Sequence, residues 1–75
     1  MNIMNIYSPQ GTKVVYLAEN GYLIEREYAR KAGFVKGQEY TVKHADVHSS
    51  STSVYFYEIP GGWNSVMFGE VEQND

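Results

Sequence analysis

The segment 39-EYTVKHADVH-48 changes the face it buries partway along, and that switch restricts how the rest of the chain can fold. In a strand, successive side chains point to opposite faces. Tyr40, Val42, His44, Asp46 and His48 therefore share one face, and Thr41, Lys43, Ala45 and Val47 the other. Tyr40 and Val42 read as buried, yet further along Ala45 and Val47 take that role. A β-bulge near Lys43 and His44 would produce the switch by inserting one extra residue and bending the strand. A long strand in a small barrel needs such a bend to pass from one sheet to the other. The serines 49-SSS-51 then read as a turn and 53-SVYFYEI-59 as the returning strand, with Val54 and Phe56 inward and Tyr55 and Tyr57 outward.

The rest of the chain supplies short elements around this hairpin. The stretch 12-TKVVYL-17 is rich in strand formers, and Asn20-Gly21 tolerates positive φ and reads as a turn. Residues 25–32, EREYARKA, lack Pro and Gly and carry their acids early, where the helix dipole favours them. Ile24, Tyr28 and Ala32 recur at i, i+4, i+8, so the Tyr28 face is expected to dock. Glu27 and Lys31 are spaced for an ion pair, and Gly33 suits the residue after the helix. After 60-PGG-62, Val66-Met67-Phe68 reads as a last short strand.

At 75 residues the chain has room for one core, and a domain near this size buries only roughly 60% of its unfolded surface. It has no cysteine, so disulfides and thiolate ligation are excluded, and packing must supply the stability. The supply is aromatic: seven Tyr, three Phe and one Trp, with Phe34, Tyr40, Phe56 and Phe68 expected in the core. No apolar run is long enough for a membrane-spanning helix, and MNIMNIYSPQ lacks the regions of a signal peptide. Residues 1–10 read as a loosely held N-terminal extension, residues 11–69 as the domain and residues 70–75 as an acidic tail. Met-Asn-Ile occurs twice at the start, which makes Met4 a second candidate start. The net charge is −3; of nine acids three lie in that tail, leaving six against six Lys and Arg in the remainder. A neutral body with an acidic tail is a poor generic nucleic-acid binder. Four strands, one short helix after the first strand and no parallel crossover point to a mostly β, SH3-like antiparallel barrel.

The pieces 20-NGY-22, 37-GQEYTV-42, 46-DVHSSS-51, 58-EIPG-61 and 64-NSVMF-68 resemble a group of very short proteins encoded by bacteriophages and prophages. Together they span most of the chain. The resemblance implies an SH3-like β-barrel and a bacterial cytoplasmic setting. It carries no catalytic residues with it.

His44, Asp46 and His48 are metal ligands by chemistry, and strand neighbours two apart can converge on one ion. A tight site needs further ligands and a supporting shell, and the chain has no other histidine and no cysteine. An exposed hairpin face is therefore expected, with no metal and no cofactor. The hydroxyls near His48 make a solvated turn rather than a catalytic triad, and no paired carboxylates suggest acid–base chemistry. A non-enzymatic protein is expected.

Eleven aromatics exceed what so small a core readily uses. Tyr and Trp bury area at low entropy cost, which suits interface anchors. Tyr22, Tyr55, Tyr57 and Trp63, with His44 and His48 alongside, are therefore the candidate partner-binding residues. The expected function is a phage accessory protein that binds a host or phage protein, in one version inhibiting a defence or regulatory factor. The alternative is a nucleic-acid-binding module using Arg26, Arg30 and the lysines of the helix and strands. The same aromatic surplus also suits a homo-oligomer.

Overall fold

The strand that switches faces is shared between two partners. The structure, a computed structural model, describes residues 2–71. In chain order the elements are β1 (Lys13–Tyr16), α1 (Leu23–Ala32), β2 (Glu39–Val47), β3 (Thr52–Phe56), β4 (Gly62–Asn64), a 3₁₀ turn (Ser65–Met67) and β5 (Phe68–Glu70). The first residues of β2 pair antiparallel with β1, and the residues from Val42 onward pair with β3. Val42 lies opposite Phe56 and His44 opposite Tyr55, so Lys43 is the inserted residue of a bulge. Tyr40 and Val42 are buried before it, whereas Ala45 is half-buried and Val47 is exposed beyond it. The parity does switch, but the far half of the hairpin runs past the core that was expected to cover it.

Among the described residues one five-stranded antiparallel sheet results, in the order β4-β3-β2-β1-β5. The expected closed barrel does not form: among the described residues β4 and β5 are opposite edges and share no ladder. They are consecutive in sequence, and the three-residue 3₁₀ turn joining them spans only about 6 Å. The sheet is therefore rolled until its edges approach, but strands of three residues are too short to zip them together. Part of the expected last strand is this turn instead. Met67 is fully buried in it, and the Asn64 side chain accepts the Val66 N–H at 3.3 Å.

Residues 2–4 are held rather than loose. Ile3 bridges to Gly69, the Met4 N–H donates to the Phe68 carbonyl at 3.0 Å, and the Met4 side chain is buried. Residues 2–4 thus cover the outer side of β5, whose backbone groups would otherwise stay unpaired.

The helix docks by a different face from the one expected. Ala29 is its one fully buried residue, while Ile24 and Tyr28 are 60% and 58% exposed. Polar anchoring fixes this orientation. Glu25 accepts the Tyr22 N–H at 2.8 Å and lies 3.3 Å from the Asn64 amide. The Arg26 guanidinium donates to the carbonyls of Asn20 and Gly21. Gly21 has φ +66°, where a side chain is strained, and a Cβ there would also press on the Glu25 carboxylate that accepts from Tyr22. The ion pair on the exposed face is Glu27–Arg30 at 3.3 Å.

Gly33, at φ +111°, ends the helix and turns the chain so that Phe34 enters the core. Its ring packs on Tyr40 at 4.8 Å, Trp63 at 5.0 Å, Phe68 at 5.2 Å, Tyr16 at 5.4 Å and Phe56 at 5.6 Å. Several of these are edge-to-face, the geometry the ring quadrupoles favour. The four aromatics expected in the core are all buried.

Where β3 ends, a side chain completes the ladder. The Tyr57 N–H still reaches the Thr41 carbonyl at 3.1 Å, but the Thr41 N–H donates to the Glu58 carboxylate at 2.8 Å. The Thr41 hydroxyl accepts from Lys13 Nζ and donates to Glu58 Oε2, both at 2.6 Å. Burial pushes the Glu58 pKa up, but the hydrogen bonds from the Thr41 hydroxyl and amide, with the Lys13 charge, outweigh it and leave the pKa below its ordinary 4.5.

Two outcomes follow for stability. Phe34→Ala should cost about 3–5 kcal/mol in urea unfolding. For a chain of this size that is a large share of a total of about 4–11 kcal/mol. A loss below about 1 kcal/mol would show that Phe34 is not the centre of the core. A depressed carboxylate stabilises the folded state above its unfolded pKa, and that contribution fades as pH falls through the lower folded value. Glu58→Gln should therefore lower stability at neutral pH and flatten its decline below pH 4.5. An unchanged acid limb in pH-dependent unfolding would remove Glu58 from that role.

Candidate functional site

The outward face of the β2–β3 hairpin gathers most of the candidate residues. The bulge sends His44 outward opposite Tyr55, and the two rings stack at 4.5 Å with planes 22° apart. On its other side Tyr55 lies across Gly62 of β4, where a Cβ would come within 2.9 Å of the ring. A glycine at position 62 is what allows the ring to lie flat over the edge strand. Asp46 Oδ1 is 3.6 Å from His44 Nε2, both side chains being about half exposed. That pair is the observed part of the HADVH pattern; among the described residues no third ligand-bearing side chain joins it.

Tyr57 follows two residues after Tyr55 and is 55% exposed, with its hydroxyl accepting from the Gln10 side-chain amide. Beside it runs the Lys13–Thr41–Glu58 network, which fixes the end of β3. His48 is exposed at the far end, where its N–H donates to the Ser51 carbonyl at 2.9 Å and closes the serine turn. Tyr57, Tyr55 and His44 therefore form a strip along the hairpin, and His48 stands at its tip.

Trp63 and Tyr22 lie elsewhere. Trp63 pairs with Val54 on the inner face, packs edge-on against Phe34 and donates its indole N–H to the Pro60 carbonyl at 3.2 Å. It is half-buried and closes the core near β4. Tyr22 precedes α1 and is 76% exposed. The basic residues are divided as well. Lys13 and Lys43 belong to the sheet, while Arg26, Arg30 and Lys31 lie on the helix and Lys36 follows it.

Pattern reading missed the exposed apolar residues around the helix, namely Leu23, Ile24, Tyr28 and Val35. The signal was Ala29, the small residue by which the helix can approach the core closely. Among the described residues no helix is long and apolar enough to cross a membrane.

No curated protein and no solved structure matches the chain. A family model described as bacteriophage T4 protein Y07B matches residues 5–75. That span takes in every strand, the helix and the hairpin face just described. The chain is a phage protein and belongs to the bacteriophage T4 protein Y07B family.

Proposed function

We propose that this chain is a non-enzymatic phage accessory protein that binds a host or phage protein through the outward face of the β2–β3 hairpin. The observation that carries the reading is the stacked His44–Tyr55 pair with Tyr57 beside it. These rings are held before any partner arrives, so binding sacrifices little side-chain entropy. Tyr55 is half-buried between His44 and Gly62, while His44 and Tyr57 each keep about half of their surface in water, and burying that surface gives the kind of anchor that dominates protein interfaces. The strip is open rather than enclosed, a poor setting for excluding water from a reaction.

An SH3-like chain path fits the same reading. It is supported by a strand shared between two partners through a bulge, and by a 3₁₀ turn carrying the chain from one sheet edge to the other. On this reading the protein works in the bacterial cytoplasm, and its binding inhibits a defence or regulatory factor.

The test is capture from bacterial lysate, with and without nuclease, comparing the native chain with a His44→Ala, Tyr55→Ala, Tyr57→Ala variant. Trp63 stays intact because its loss would open the core. One near-stoichiometric protein should survive nuclease and bind the folded variant at least tenfold more weakly. Equal capture by the variant would remove the hairpin face as the site. Capture that disappears with nuclease and weakens steeply with salt would replace the reading with nucleic-acid binding.

A further inference from the structure

A second surface of different chemistry lies between α1 and the loops that flank it. A groove of about 420 Å³ runs there with the buried Tyr16 and Phe34 rings at its floor. Leu23 from the start of the helix and Val35 from the loop after it form its walls, and they are 68% and 54% exposed. Its rim is cationic. Arg26, Arg30 and Lys36 line it, which is half of the six Lys and Arg in a chain of net charge −3. The acid on the rim is Glu27, already paired with Arg30, and Glu19 lies in the adjoining cleft beside Lys36. Arg26 uses its Nη1 on the Asn20 and Gly21 carbonyls, and the other guanidinium donors are not needed there. Its charge is felt within the groove: burial raises the Tyr16 pKa, and Arg26 partly offsets that rise.

We propose that this groove docks a segment of a partner protein carrying large apolar side chains flanked by carboxylates. Leu23 and Val35 would cover the apolar side chains, while Arg30 and Lys36 would meet the acids at either side. Charge complementarity selects the partner. A basic segment would be repelled from this cationic rim, and a neutral one would forgo pairing with Arg30 and Lys36. A nucleic-acid strand fits less well. The exposed walls are aliphatic and offer no ring face for a base, and the two aromatic rings are already buried. The proposal stands apart from the hairpin face, since no residue is common to both.

The test uses amide NMR of the full chain titrated with a hexapeptide. Its centre is Phe-Leu, each side carries one Glu and one Asp, and its ends are blocked. A control peptide has Gln and Asn in place of the acids. The acidic peptide should shift the amides of Leu23, Arg30, Val35 and Lys36 and bind at least tenfold more tightly than the control at low salt. An Arg30→Glu, Lys36→Glu variant, whose own spectrum checks its fold, should lose at least tenfold in affinity. Leu23→Ala and Val35→Ala should weaken both peptides, since they remove the walls that both use. Equal binding of the two peptides, or no shift at millimolar peptide, would overturn the proposal. So would tighter occupation of the groove by a single-stranded oligonucleotide. Shifts confined to His44, Tyr55 and Tyr57 would overturn it while leaving the hairpin reading standing. Loss of lysate capture in the hairpin variant, with peptide binding at the groove intact, would separate the two surfaces in the other direction.

Discussion

The Phe34 ring holds the structure together because it is the point at which helix, sheet and edges meet. Its ring touches Tyr16 of β1, Tyr40 of β2, Phe56 of β3, Trp63 of β4 and Phe68 of β5. A core of this size has no second layer, so one large ring in the middle does what a row of aliphatic residues would do in a larger domain. Its position depends on backbone geometry as much as on hydrophobicity. Gly33 adopts a left-handed conformation, the Phe34 N–H returns to the Ala29 carbonyl, and the Val35 N–H donates to the Tyr40 hydroxyl at 2.8 Å. The ring is thereby fixed from both sides along the chain.

The same packing explains why the sheet rolls. Every strand must bring one side chain to a single central ring, and a flat five-stranded sheet is too wide for that. The bulge at Lys43 lets β2 face β1 with its first half and β3 with its second. It also turns His44 outward onto Tyr55. One inserted residue therefore shapes both the core and the exposed aromatic strip. Closure then stops short because β4 and β5 contribute only three residues each, and residues 2–4 cover β5 instead.

Much of this was legible in the chain because the relevant signals are local. The parity switch between Val42 and Ala45 located the bulge, and the alternation of 53-SVYFYEI-59 separated Phe56 from its outward neighbours. What could not be read depended on contacts between distant segments. Met4 sits in a stretch with no strand pattern and is buried only because β5 offers an open edge. Trp63 looked like one more surplus ring until β4 placed it opposite Val54. β4 itself was hidden because Gly62 has no side chain to show alternation, and it is Tyr55 on the neighbouring strand that requires that glycine.

The helix shows how a strong periodic signal can identify the wrong face. Ile24 and Tyr28 are the natural docking pair by hydrophobicity, yet they point to solvent. Three polar attachments decide otherwise, because Glu25 and Arg26 must face the loop amide and carbonyls that they satisfy, and the Asn64 amide lies on the same side. Those backbone groups are exposed and would turn to water if released, so each attachment contributes a net hydrogen bond of about 0.5–1.5 kcal/mol. Turning the helix to bury Tyr28 would lose those contributions and would also force a large side chain into the space that Ala29 fills. The orientation is therefore set by hydrogen bonding and by steric room, and the apolar side chains displaced from the core are left around the helix.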